Sequence, residues 1–81
     1  MVNLMSKIDF TLNNVSEVGQ IIKRRRKSLG LTQIELGKKL GKSNTYLSDI
    51  EVGKTIPSLS TLILLCDSLD LEFKIVEKIN Y

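Results

Sequence analysis

The sequence predicts a mostly α-helical domain of four to five short helices, followed by a β-strand near its C-terminal end. Three observations carry that expectation. Apolar residues recur at three- and four-residue spacing between Val15 and Leu69. Helix-starting residues (Asn14, Thr32, Ser43 and Ser58) precede each of these apolar stretches. After Leu69 the period drops to two, with Leu71, Phe73 and Ile75 alternating with Glu72 and Lys74.

The first helix is expected from about Val15 to Leu29, with Val15, Val18, Ile22 and Leu29 along one stripe. Asn14 and Glu17 make a capping-box-like start, and Gly30 is placed for a left-handed end. The second helix opens on Thr32 and Glu35, a capping box, and closes at Gly41. Gly37 lies inside it between Leu36 and Leu40. A helix-interior glycine costs roughly 1 kcal/mol against alanine, so a close backbone neighbour is expected there. Ser43 caps a third helix that turns Leu47 and Ile50 inward, and residues 52–57 form a loop. Ser58 caps a fourth helix through about Leu69, with Leu59, Leu62, Cys66 and Leu69 at core spacing. Ile63, Leu64 and Leu65 widen its apolar stripe almost around the cylinder, which predicts burial on a second side, against another subunit.

The alternating tail from Leu71 to Glu77 reads as a strand, and a lone strand cannot satisfy its own backbone. Its partner is expected to be the weakly alternating Ile8–Leu12 segment, the same strand of a second copy, or both. The chain thus divides into an N-terminal arm (1–13), a helical domain (14–69) and a dimerisation tail (70–81).

With 81 residues there is room for one modest core, and 42% hydrophobic with 26% charged residues is an ordinary globular balance, neither disordered nor membrane-like. The longest apolar run, Leu62 to Cys66, is too short to span a bilayer, and the N-terminus has no signal-peptide pattern. Cys66 is the only cysteine, so a cytoplasmic location without disulfides is expected. The net charge of +3 is unevenly spread: residues 23–54 hold nine basic and three acidic residues, a local +6, and the remainder is −3. Such a concentration points to a polyanionic partner.

Two short helices joined by a tight turn containing glycine are a helix-turn-helix arrangement. The residues that frame it are Arg26, Gly30-Leu31-Thr32-Gln33, Glu35-Leu36, Ser43, Tyr46-Leu47-Ser48, Ile50-Glu51, Gly53-Lys54 and Pro57-Ser58. In this order and spacing they resemble the Xre-type helix-turn-helix family, the lambda-repressor-like fold of phage repressors and Cro proteins. The strand directly after the last helix further resembles the HipB-type antitoxins.

The resemblance implies that the third helix enters the major groove of double-stranded DNA, where Ser43, Asn44, Thr45 and Ser48 meet base edges. Thr32, Gln33, Lys42, Tyr46 and Lys54 are then expected at the phosphate backbone, with Gln33 also bracing the third helix. It further implies that Arg26 and Glu51 form a structural ion pair between the first and third helices. Ile63, Leu64, Leu65, Leu71, Phe73 and Ile75 are expected at a homodimer interface. Such a dimer would sit on a near-palindromic operator and repress its own operon. The antitoxin resemblance adds a HipA-like kinase toxin as partner.

Two residues depart from the family pattern. Val52 stands where a polar residue near phosphate is common, and Asp49 places a negative charge near the expected DNA face. Both favour the competing reading of a protein-binding module on the same fold; a phage-like or chromosomal repressor without a toxin is the other competitor. An enzyme is not expected: there is no histidine, no phosphate-binding glycine loop and no paired carboxylates in a motif. No cofactor or metal is expected either, since histidine and cysteine ligands are lacking. Membrane-surface binding by Lys23–Lys27 is disfavoured because that helix spends its apolar face, Ile22 and Leu29, on the core.

Overall fold

The structure is a computed structural model that describes residues 15–75 and residue 77. The Ile8–Leu12 segment and the Asn14 cap lie outside those residues. A 3-10 turn, Val15–Glu17, leads into helix α1 (Val18–Ser28); α2 is Gln33–Leu40, α3 is Asn44–Glu51 and α4 is Leu59–Ser68. No described helix is long and apolar enough to cross a membrane.

Three helices start on a side chain named by the sequence. Thr32 Oγ1 accepts the Glu35 N–H at 3.0 Å while Glu35 Oε1 accepts the Thr32 N–H at 2.9 Å, a complete capping box. Ser43 Oγ accepts the Tyr46 N–H at 3.1 Å, and Ser58 Oγ accepts the Thr61 N–H at 3.2 Å. α1 instead begins at Glu17 without a side-chain cap, three residues later than the sequence suggests.

All four helices stop in the same way. A residue one or two positions beyond the end takes positive φ (Gly30, Gly41, Gly53 and Asp70), and the next N–H turns back to a carbonyl five residues earlier. The returning bonds are Leu31 to Arg26 at 3.1 Å, Lys42 to Gly37 at 2.8 Å, Lys54 to Asp49 at 2.9 Å and Leu71 to Cys66 at 2.7 Å.

The core joins all four helices through Val18, Ile22, Leu36, Leu47, Ile50, Leu65 and Leu69, with Leu31, Leu40, Tyr46, Leu62 and Leu71 packed against it. Two glycines set the spacing. A Cβ on Gly37 would lie 2.5 Å from the Lys42 carbonyl oxygen, so α2 and the turn before α3 touch backbone to backbone. A Cβ on Gly19 would overlap the Ile50 carbonyl oxygen, which brings α1 equally close to the end of α3.

Several expected placements are corrected. Leu65, assigned to a subunit interface, is completely buried in the chain's own core and has no surface left for a second copy. Leu59, assigned to the core, is exposed, and Cys66 is only half-buried. The inward stripe of α4 is Leu62, Leu65 and Leu69, a helical phase that the nearly continuous apolar sequence did not reveal. Val15 and Leu29 are exposed because the inward face of α1 ends with Ile22 and Arg26. The expected strand is not formed among the described residues: Leu71 to Ile75 carry no regular secondary structure. A strand needs a partner backbone, and among the described residues none is paired with this one.

Candidate nucleic-acid interface

α2 and α3 meet through Leu36 and Leu47, both fully buried, with Gly37 against the intervening turn. That packing fixes which side of α3 is inward. Leu47, Ile50 and Glu51 are buried, while Ser43, Asn44 and Thr45 are exposed at the opposite, N-terminal side and Ser48 is half-buried beside them. The Ser43 oxygen is used as a cap acceptor, which leaves its hydroxyl proton available outward.

Behind α3 stands a buried charge cluster. Arg26 Nε donates to Glu51 Oε2 at 2.6 Å, Arg26 Nη2 donates to Glu51 Oε1 at 2.9 Å, and Arg26 Nη1 donates to the Leu31 carbonyl at 2.7 Å. Gln33 Nε2 donates to the same Glu51 Oε1 at 3.1 Å. One carboxylate therefore ties α1, the start of α2 and the end of α3 together. Burial alone would push the Glu51 carboxyl up, but the bonds from Arg26 and Gln33 and the charges of Arg26 and Lys23 hold it below its ordinary value. The bond to Glu51 raises the Arg26 pKa against the opposing effect of burial.

The predicted backbone-contacting residues are distributed along the α2–turn–α3 unit, four near the turn or the start of α2 and Lys54 beyond the end of α3. Thr32 and Gln33 occupy the N-terminus of α2, whose first N–H groups favour an anion. Lys42 is exposed, and its Nζ lies 5.2 Å from the centre of the ring of Tyr46, a half-buried residue packed against the core. Lys54 is exposed at the far end of α3, where its N–H holds the Asp49 carbonyl.

The residues expected at a subunit interface do not form one face. Ile63, Leu64, Phe73 and Ile75 are exposed and Leu71 is half-buried, but Ile63 and Leu64 point about 100° apart around α4. Ile63, Cys66, Leu71 and Phe73 line one side groove of about 530 Å³ together with three acidic residues.

Two structural residues were missed from sequence. Gly19 follows the same logic as Gly37, a glycine inside a helix, and could have been found by it. Arg25 Nε donates to the Leu69 carbonyl at 2.8 Å, placing a cation on the C-terminus of α4. Nothing in a run of five basic residues distinguishes it. Among the described residues no His, Cys, Asp or Glu group is arranged to hold a metal ion.

The helix-turn-helix family profile matches residues 22–76, which span α2, the turn, α3 and α4. The chain belongs to the helix-turn-helix family. Its relatives place it with the Xre/Cro-type members, and the four helices have the lambda-repressor-like arrangement. It is 44% identical over 73 residues to the ImmF control region 10 kDa protein of Bacillus phage phi105, covering 80% of this chain and 81% of that one. Among solved structures it resembles the P22 c2 repressor in complex with a synthetic operator: TM-score 0.65, 36% identity, 68% of this chain and 83% of that one. A HipB structure in complex with an O2 20mer superposes with TM-score 0.74 over 86% of this chain and 97% of that one. At 24% identity, that likeness is one of fold alone.

Proposed function

We propose that this helix-turn-helix protein is a sequence-specific repressor that binds double-stranded DNA as a symmetric dimer and acts on its own control region. The observation that carries this is the division of α3. Its inner face is locked by Leu47, Ile50 and the Arg26–Glu51–Gln33 cluster, while Asn44 and Thr45 stand exposed at its N-terminal end. A rigid helix with short polar side chains free at that end can place them against base edges in a major groove. The 36% identity to a repressor crystallised on an operator supports the same reading.

Asn44 takes an adenine edge, and Ser43, Thr45 and Ser48 donate or accept at neighbouring bases. Lys42, Lys54, Tyr46, Thr32 and the remaining amide proton of Gln33 hold phosphates and set the register. Two copies join through the groove side of α4 and the tail, where Ile63, Leu71 and Phe73 lie together, with the tails paired as strands across the dimer. Their recognition helices then sit about 34 Å apart on a near-palindromic site.

Within the repressor class, the 44% identity to a phage control-region protein favours a phage-type regulator without a toxin. The antitoxin reading, with a HipA-like kinase toxin bound, draws on the HipB likeness, which extends over more of this chain than the P22 match does. The test is a gel-shift titration at two salt concentrations, with the duplex upstream of the protein's own gene against a scrambled control. Tight, salt-sensitive binding to the native duplex alone is expected. Equal weak binding to both would sink the operator assignment and favour a protein-binding module. A kinase-like protein encoded in the same operon and co-purifying with this chain would decide for the antitoxin.

A further inference from the structure

α3 carries one acidic side chain on its outer face that makes no contact used by the fold among the described residues. At about 100° per residue, the direction opposite Leu47, Ile50 and Glu51 is taken by Thr45 and, one turn later, Asp49. The backbone of Asp49 is committed: its carbonyl accepts the Lys54 N–H at 2.9 Å and the Thr55 N–H at 3.2 Å, anchoring the loop after α3. The residue is half-buried, and its carboxylate takes no hydrogen bond or ion pair among the described residues. The carboxylates of Glu35 and Glu51, by contrast, are bonded within the fold.

On a face that meets phosphates, an unpaired carboxylate is repelled unless it finds a donor. The major groove offers two: the N4 amino group of cytosine and the N6 amino group of adenine. Adenine presents its N7 acceptor directly beside that amino group, and a carboxylate, which only accepts, is repelled there. Cytosine has only a C–H on that side. The chemistry of Asp49 therefore fits cytosine and disfavours the other bases.

We propose that Asp49 is a specificity-determining residue that reads a cytosine in each half-site through its N4 amino group. This rests on α3 being the DNA-reading helix. Thr45 and Asp49 lie one helical turn apart, about 5–6 Å, so the cytosine falls one or two base pairs from the base met by Thr45.

The experiment is selection of binding sites from a randomised duplex library by the full chain and by Asp49→Asn, Asp49→Ala and Thr45→Ala, followed by titration of the selected duplexes. The wild-type protein is expected to enrich C·G at one symmetry-related pair of positions and to lose about tenfold or more in affinity when that pair becomes T·A. Asp49→Asn should shift the preference there to adenine, whose N6 and N7 an amide can engage together. Asp49→Ala should lose the preference, and Thr45→Ala should change a different position. If Asp49→Ala selects the same base everywhere and simply binds all duplexes more tightly, Asp49 is only a repulsive charge, and this inference falls while DNA reading stands. If the wild-type protein selects no sequence, the DNA-binding reading falls and takes the inference with it.

Discussion

Single side chains decide how firmly α3 is held. The guanidinium of Arg26 and the carboxylate of Glu51 are both nearly fully buried, and every buried side-chain nitrogen and oxygen among the described residues has a partner. Replacing Arg26 by Met would strand the Glu51 charge and should cost about 3–5 kcal/mol, a large part of a small domain's stability. Urea unfolding checks this, and adding Glu51→Leu should restore much of the loss, because a well-packed apolar pair can replace a buried ion pair. The pair also has a pH signature. Glu51 titrates below the usual 4.5 when folded, so its contribution is complete above that value and fades as the pH falls through its lower folded pKa. The urea midpoint should hold from neutrality to about pH 5 and then drop, with a shallower drop in Glu51→Gln. The Arg26–Glu51 pair was legible through its spacing within a known motif. Arg25 was not, because only the phase of α1 against the end of α4 separates it from its basic neighbours.

At the scale of helices, the ends are better encoded than the faces. Thr32, Ser43 and Ser58 cap as expected, since a side-chain oxygen bonding three residues ahead is a local event. The inward face of α4 is not local: Leu62 to Cys66 is apolar at every position, and packing alone selects Leu62, Leu65 and Leu69. The tail has a strand-like alternation but no strand among the described residues, because strand formation depends on a second backbone that an alternating pattern cannot supply. The shared helix ending supports a further prediction. Asp70 adopts φ of +55° where the other three helices use glycine, and its carboxylate gains only a 3.9 Å approach to Arg25 while almost fully exposed. Asp70→Gly should therefore stabilise the domain by about 1 kcal/mol, read as a rise in the thermal midpoint. Gly37→Ala should do the reverse. Alanine ordinarily favours a helix interior, but here its methyl would press on the Lys42 carbonyl, forcing α2 away from the turn. A loss of about 1–3 kcal/mol is expected, together with weaker operator binding as α3 is displaced.

For the whole molecule, charge is unevenly distributed along the chain. The +6 stretch surrounds the turn and α3, while Asp67, Asp70 and Glu72 gather beside the groove formed by Ile63 and Phe73. The helix-turn-helix stretch is thus suited to a polyanion, although Ile34 and Val52 are exposed within it, and the groove of Ile63 and Phe73 lies outside that stretch of the chain. If that second surface joins two copies, changing it should leave each subunit folded, because Ile63 and Phe73 are not part of the buried core. Ile63→Asp with Phe73→Asp is expected to give a monomer by sedimentation equilibrium, with helical circular dichroism unchanged. Binding to a full operator should fall about a hundredfold, since the second half-site is no longer held at high effective concentration, while binding to an isolated half-site should not change. Equal losses on full and half sites would mean that the substitutions damaged the reading head itself. A variant that stays dimeric and binds normally would place the interface away from this groove, on the Leu64 side of α4.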